Sequence, residues 1–518
     1  MIGASLPILS RWVSYLALPL TLAAVGAATP DANEDNTPTT AFSFASLQRH
    51  AQEMAARPHV PPKRVAEQLD RLTYDQYRMI APRHDAALWR EQELPYWAEF
   101  QHAGFLFHYP IEIALVEEGR VRELPFDAER WFQYRGEMES LGRSIEGGGF
   151  AGFRVLGQLP ERKYMQEFVS FLGASYFRAI GSHQWYGAST RGLAIDIGLP
   201  TPEEFPKFRK FWIEKPVKSD ETSPIRIWAL LESPAVAGAY AFVIKPGLTT
   251  SIDVEAHLWF RHGVQKVGVA PITSMWMWNA DHARDGDHRP EVHDSDGLLI
   301  KSDGRWDWRP LMRPETPRVS RLSREHLEGF GLMQRERTSA AYRDREAHYH
   351  LRPNVWITPL ESWGPGRVEL LELPSDHEGN DNIGAYWVRS DPAAKGDHWV
   401  LRYRIDFGLF EPTEHQVARV VETHVDRLEE SYQVDVVYEF PEPISDWEGY
   451  EPHVKAEHGQ ASDPRLHRLG GNRARLRFGY EPKDENQQVI EAWISPGDKR
   501  SNSGERTSEV WSYRWLTP

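Results

Sequence analysis

The sequence predicts a mainly β protein: a large N-terminal antiparallel β-sandwich followed by a smaller immunoglobulin-like sandwich. Three observations carry this expectation. Runs of alternating apolar and polar residues recur along most of the chain. Gly (38) and Pro (37) break those runs into strand-sized pieces. Helical spacing is confined to a few short stretches. The chain has 518 residues, more than one usual domain, and its 41% hydrophobic residues can fill more than one core.

The elements follow in order. Arg11 precedes an apolar run over 12–25, and Gly26, Ala27 and Ala28 then supply small residues before Thr29 and Pro30. This order predicts an export signal over 1–28. The run is short and broken by Ser14 and Pro19, which argues against a membrane span. No Arg-Arg pair stands at this start, so twin-arginine export is not expected. Residues 29–41 are polar and Pro/Thr-rich and predict a disordered lead. Phe44, Leu47, Ala51, Met54 and Ala55 then fall at helical spacing. Pro62 opens a second short helix with Val65, Leu69 and Leu72 on one side.

Strands are expected from there on. Phe105, Phe107 and Tyr109 alternate, as do Ile111, Ile113 and Leu115, with Gly119 closing a hairpin. Segments 149–159, 173–181, 224–232, 239–245 and 254–259 continue the series. Short helices are expected at 163–171, 203–211 and partly over 321–335. A break near 408–415 divides a large domain (42–408) from a C-terminal one (409–518). In the latter Val434, Val436, Tyr438 and Phe440 alternate. So do Ala474, Leu476, Phe478 and Tyr480, and then Trp511, Tyr513 and Trp515. About seven such runs in a segment of this length suit an immunoglobulin-like sandwich.

Composition narrows the function. The formal charge is −15 and no long Lys/Arg block occurs, so nucleic acid and anionic membrane are not expected partners. Cysteine is absent, so no disulfide framework forms. Trp (20), Tyr (19) and Phe (22) are abundant, which suits either sugar-stacking surfaces or aromatic-filled cores. Two loops, RPEVHDSDG (289–297) and EGNDNIGAYW (378–387), are dense in acids and bordered by aromatics. Cleavage of a sugar–sugar bond needs such a pair: one carboxylic acid to protonate the leaving oxygen and one carboxylate to activate water. The candidates are Asp294, Asp296, Glu378 and Asp381. Residues 281–296 also hold His282, His288 and His293, but not at zinc-motif spacing, and DSDG lacks the rest of a calcium loop. No metal and no cofactor are expected. A GxSxG nucleophile motif is absent, and no dinucleotide or phosphate-loop glycine motif has a strand-to-helix setting.

Several segments resemble the periplasmic glucan biosynthesis family (OpgG/OpgD, also MdoG/MdoD). They are YDQYRMI (74–80), GFAGFRVLG (149–157), GASYFRAIG (173–181), YGASTRGLAID (186–196) and VGVAPITSMWMW (267–278). RPEVHDSDG (289–297), WDWRPL (306–311), RPNVWITP (352–359), NDNIGAYW (380–387) and HQVARVV (415–421) complete the run. The reading leans toward the OpgD type, although this start lacks the paired arginines of the usual OpgD signal. The resemblance implies a mutarotase-like N-terminal sandwich, an immunoglobulin-like C-terminal domain and a periplasmic location. It also implies an inverting enzyme, hydrolase or ring-closing transglycosylase, acting on β-1,2-glucan in osmoregulated periplasmic glucan biosynthesis. A non-catalytic glucan-binding or assembly protein is the alternative.

On that resemblance Asp381 matches the general acid. Asp294 is the choice for the general base, with Asp296 close behind. Were the loop extended, Asp294 and Asp296 would share a face and raise each other's pKa. Ile383, Tyr386 and Trp387 would desolvate Asp381. In an inverting enzyme the carboxyl groups stand roughly 6.5–9.5 Å apart. Trp276, Trp278, Trp356, Trp363 and Trp387 are candidate sugar platforms, and alternation puts Trp276 and Trp278 together in the cleft or together in the core. Tyr349 and Arg352 belong to a polar segment, 343–352, that could fold over bound glucan. Arg191 either bonds sugar hydroxyls or pairs with a local acid. The expected partners are β-1,2-glucan, the membrane glucan synthase and a second copy of the chain.

Overall fold

The computed structural model describes residues 40–142, 147–218, 223–282, 286–429, 431–444, 447, 449–483, 488–497 and 507–515. The expected export signal and most of the expected lead lie outside these residues. The last two residues of that lead are not disordered: Thr40–Ala41 pairs as a short strand with Arg120–Leu124. Among the described residues no helix is long and apolar enough to cross a membrane.

Strands dominate, and two large sheets face each other. One has fifteen strands and carries the long central strands Val236–Lys245, Thr250–Phe260 and His398–Gly408. The other has ten and carries Val267–Ser274, Ile383–Arg389 and Tyr176–Ala179. Thr250–Phe260 shows the cause of the layering. Every second residue from Thr250 to Leu258 is buried, so one face is committed to the core. There Phe171 from one sheet meets Phe242 from the other at 5.3 Å between ring centroids, and Phe153 meets Phe211 at 5.1 Å. Edge-to-face packing at these distances suits aromatic rings.

The helix expected near residue 44 is Phe44–Ala55. Ser43 caps it by accepting a hydrogen bond from the Ser46 amide, and Leu47 and Ala51 bury against Leu230, Ala239 and Trp259. The second expected helix shrinks to Glu67–Asp70, which excludes Pro62. Three expected helices are strands instead. Met165–Leu172 replaces 163–171, Lys207–Glu214 replaces 203–211, and Arg318–Arg324 with Leu327–Met333 replace 321–335. In each case pairing with neighbouring strands outweighed a weak local propensity. The apolar alternation over 105–109 is not a strand; it forms a tight loop bridged between Gly104 and Phe107.

Among the described residues seven strands follow residue 418. Four form one sheet: Arg419–Arg427, Tyr432–Glu439, Arg473–Glu481 and Gln460–Gly470. The other three, Val510–Trp515, Gln488–Pro496 and Tyr450–Ala456, extend the fifteen-stranded sheet. The join is parallel, Asp307 opposite Val510 and Trp308 opposite Trp511. The core between these sheets, around Tyr438, Phe478 and Trp511, also takes in Trp306, Trp308 and Trp356 from the earlier part of the chain.

Candidate active site

The two acidic loops meet at one end of the ten-stranded sheet. The strand Val292–His293 pairs with Trp276–Trp278, and the chain then runs through Asp294, Ser295 and Asp296 into Gly297–Ser302. The Asp294 amide donates to the Met275 carbonyl, and the Ser295 hydroxyl bonds that of Ser274 at 2.9 Å. The second loop is tied to the same strand. Asn382 Oδ1 accepts from the Trp276 amide at 2.8 Å, and its Nδ2 donates to the Trp276 carbonyl at 2.9 Å. One asparagine side chain thus fixes Asp381 relative to the Asp294 loop.

Asp294 is 1% exposed. One of its oxygens accepts from Arg352 Nη1; the other has no hydrogen-bond partner among the described residues. Burial pushes its carboxyl above the ordinary carboxylate range; Arg352 opposes that shift and the nearby Asp381 charge adds to it. Arg352 is held from two sides. Its Nη2 donates to the Ala347 carbonyl at 3.2 Å, and its guanidinium lies over the Tyr349 ring at 4.3 Å. Gly187 makes room for it. A Cβ there would stand 2.8 Å from the Arg352 Cβ, so only glycine lets the two chains approach this closely. Asp381 is more open, with 16% of its side chain exposed, and Arg178 Nη2 stands 3.5 Å from its Oδ2.

Asp296 has different surroundings. Its Oδ2 accepts from the backbone amides of Arg335 and of Glu336, the latter at 3.0 Å, and its own amide donates to Met333. Residues 294–296 are loop rather than strand, so the shared-face argument does not apply. Burial, Arg352, Asp381 and Arg178 set the Asp294 shift, and Asp296 does not figure among these causes. Glu291, His293 and Asp296 present potential ligand atoms within 4.8 Å of one another. Burial disfavours the charge on His293, but Asp296 and Glu291 outweigh it and raise its pKa. Its other nitrogen faces Gln334 Oε1 at 2.9 Å. A raised pKa favours the protonated imidazole, which has no free lone pair for a metal.

The remaining candidates separate. Glu378 is taken by Arg289 at 2.7 Å, and Arg289 also binds Asp287 and Asp344. This one guanidinium fastens the 343–352 segment and the 378 loop to the 289 loop. Arg191 pairs with Glu203 at 2.6 Å beneath Tyr176 and Phe205, the local-acid outcome. All five candidate platform tryptophans are buried. A bulge between Trp276 and Trp278 breaks their alternation and sends them into different clusters. Trp356 packs on Trp306 in the C-terminal core, and Trp363 lies near Trp387 and Tyr403. Tyr386 bonds Glu369 at 3.1 Å and Trp387 is in the main core, so neither is placed to desolvate Asp381. Local spacing gave no sign of Trp185, half-buried, which packs at a tilt against His348 at 4.3 Å between ring centroids, with its amide donating to the Leu351 carbonyl. Nor did it mark Arg178, Asn382 or Gly187. Arg178 and Gly187 lie inside motifs quoted for the resemblance but have no acid beside them in sequence.

A family described as "Periplasmic glucan biosynthesis protein, MdoG" matches residues 42–515. The chain belongs to this family. Among its relatives is a protein of Ralstonia nicotianae named "Glucans biosynthesis protein G", 44% identical over 368 residues, covering 70% of this chain and 72% of that one. Proteins of the same name from Vibrio cholerae serotype O1 and Shewanella baltica are each 38% identical. They align over 488 and 494 residues, covering 92% of this chain and 87% and 88% of theirs. These relatives carry the G name rather than the D name toward which the sequence leans. Family membership places the chain in the periplasm and in glucan biosynthesis.

Proposed function

We propose that this chain is an anomer-inverting enzyme acting on β-1,2-linked glucan in osmoregulated periplasmic glucan biosynthesis. The observation that supports it is the convergence of Asp294 and Asp381, from two separate loops, close enough for one charge to act on the other. Asp381, the more open carboxyl, donates a proton to the leaving glycosidic oxygen. Asp294 takes a proton from the attacking water or sugar hydroxyl. Because it is sealed beneath Arg352 and Tyr349, that proton reaches its unpartnered oxygen through a bridging hydroxyl or water. Asn382 and Gly187 are positioning residues: they set where the two carboxyls stand. Water as acceptor shortens the glucan, whereas a held sugar hydroxyl forms a new linkage.

The second reading, a glucan-binding or assembly protein without turnover, is favoured by that same burial of Asp294. In either reading the proposed partners are the glucan and, through the C-terminal sandwich, the membrane glucan synthase or a second copy of the chain. Incubation with linear β-1,2-glucan, followed by mass and NMR analysis of the products, decides between them. Shorter linear chains mean hydrolysis, and chains lighter by one water mean ring closure. Tight binding with chain length and linkage unchanged establishes the second reading.

A further inference from the structure

Away from the two acidic loops, a group of arginines gathers where the C-terminal strand Val510–Trp515 joins Arg305–Pro310. Arg309 is 2% exposed, and among the described residues none of its three guanidinium nitrogens has a hydrogen-bond partner. Its guanidinium stands 5.5 Å from the Tyr513 ring centre. Arg318 donates only to a weak acceptor, Met312 Sδ. Arg514 donates to the Val319 carbonyl at 2.6 Å and to the Ser320 hydroxyl at 3.3 Å, and among the described residues its Nε is unpartnered. Among the described residues the acid acting on all three is Glu372. It accepts from the Met312 amide through Oε1, and its Oε2 is unpartnered. Asp307, on the same strand as Arg309, is already committed to Arg305 and Arg324.

Among the described residues three guanidiniums face one carboxylate, an excess of two positive charges. Burial, together with Arg309, Arg318 and Arg321, pushes Arg514 down to about 10, which reflects that crowding. Leaving buried donors unmade is costly, and a guanidinium cannot escape by losing its proton. Forked donors fit a tetrahedral oxyanion, and a dianion balances the charge. The cluster grades from the surface inward: Arg321, which pairs with Glu369 at 3.4 Å, is exposed, Arg318 and Arg514 are half-buried, and Arg309 is buried.

We propose that this junction is a binding site for a phosphate-type oxyanion, with Arg309 as its innermost donor and Arg318 and Arg514 closing over it. Calorimetric titration of the full chain with inorganic phosphate, against chloride at matched ionic strength, tests it. Saturable one-to-one binding is expected, with Arg309→Met weakening it at least tenfold. Glu372→Gln removes the opposing charge and should tighten binding several-fold. In phosphate-free buffer Arg309→Met should melt no lower than the parent, because it removes a buried unpartnered cation. Should that variant fail to fold, Arg514→Gln (weaker binding) and Glu372→Gln (tighter binding) test the site in its place. Methyl phosphate as a second titrant separates sources: equal binding admits a phosphate ester, and binding of inorganic phosphate alone restricts the site to the free ion. Absence of saturable phosphate binding, or binding that neither Arg309→Met nor Glu372→Gln alters, overturns the site and leaves Arg309 and Glu372 as a water-bridged structural pair.

Discussion

Two largely buried centres lie on either side of the HDSD segment, and each sets two cations against two carboxylates. In the candidate site these are Arg352, Arg178, Asp294 and Asp381. At the junction with the C-terminal sandwich they are Arg335, His415, Glu411 and Glu509. Asp294 belongs to the first, while Asp296 holds the Arg335 backbone of the second. The charge count is equal, yet the protonation behaviour is opposite. Burial opposes charge at the junction too, but Glu411 and Glu509 raise His415 to about 9, and Arg335 holds both acids below the ordinary range. All four groups stay charged at neutral pH. In the candidate site burial prevails at Asp294 and pushes its carboxyl up, and one of its oxygens has no donor. A centre whose charges are locked holds strands together; a carboxyl whose charge burial disfavours is better suited to take up a proton.

The largest expected effect tests the site side. Asp381→Asn and Asp294→Asn should each lower turnover of β-1,2-glucan by roughly 10²–10⁴-fold, the usual cost of losing a positioned acid or base. Affinity of Asp294→Asn for the glucan should stay within about tenfold, because a base acts in the transition state more than in the ground state. Initial rates by product analysis and affinity by calorimetry separate the two quantities. Asp296→Asn should lose less activity. A dead Asp296→Asn beside an active Asp294→Asn would exchange their roles and undo the comparison.

Some of this centre was legible in the sequence. Asp294, Asp296 and Asp381 announced themselves as acids in Gly- and aromatic-bordered loops, and Arg352 lay close to Tyr349. What could not be read was which acid faces which partner. Alternation puts Asp294 and Asp296 on one face only within a strand, and the pairing stops at His293. For the tryptophans, a single bulge sent Trp276 and Trp278 apart, and sequence alone does not mark a bulge. Arg178 and Gly187 matter through contacts across the sheet, which no local spacing reveals. The fold was clearer where strands alternate over a long run, as in Thr250–Phe260, than at Met165–Leu172, where pairing decided.

The next effect falls on the junction. Glu509→Ala would strand Arg335 and His415 without their fully buried partner, and removing one member of a buried ion pair typically costs about 3–5 kcal/mol. Urea unfolding of both proteins measures it. A loss below about 1 kcal/mol would show that the junction is not a structural lock. Its pH signature is a smaller, separate test. His415 has a folded pKa of about 9 against an ordinary 6.5, so its stabilising contribution is full below pH 6.5 and disappears as pH rises through 9. Glu411 and Glu509 are depressed, so theirs is present above the ordinary carboxylate range and disappears as pH falls. His415→Gln should flatten the alkaline loss of stability; an unchanged slope would assign that loss to other groups.

On the site side the corresponding titration is read in activity. Arg352 opposes the upward shift of Asp294, so Arg352→Met should raise that carboxyl further and move the acidic limb of kcat/KM to higher pH. Arg352→Lys keeps the charge and should leave the limb nearer its original place. A limb at the same pH in both variants would mean that Asp294 is not the group it reports.

The smallest expected effect is none at all. Glu291, His293 and Asp296 near the site, and Glu411, His415 and Glu509 at the junction, each gather potential ligand atoms within 4.8 Å. In both groups the neighbouring acids raise the histidine pKa against the effect of burial, and the proton they favour occupies the lone pair a metal would need. Two carboxyls suffice for the proposed proton transfers. Exhaustive EDTA treatment should therefore leave both turnover and melting temperature unchanged. Lost turnover with intact melting, restored by one specific divalent ion, would place a metal beside Asp296 and bring Glu291 and His293 into the chemistry. Lost melting temperature with intact turnover would place the metal at the junction instead, and the lock there would be a coordination bond rather than an ion-pair cluster.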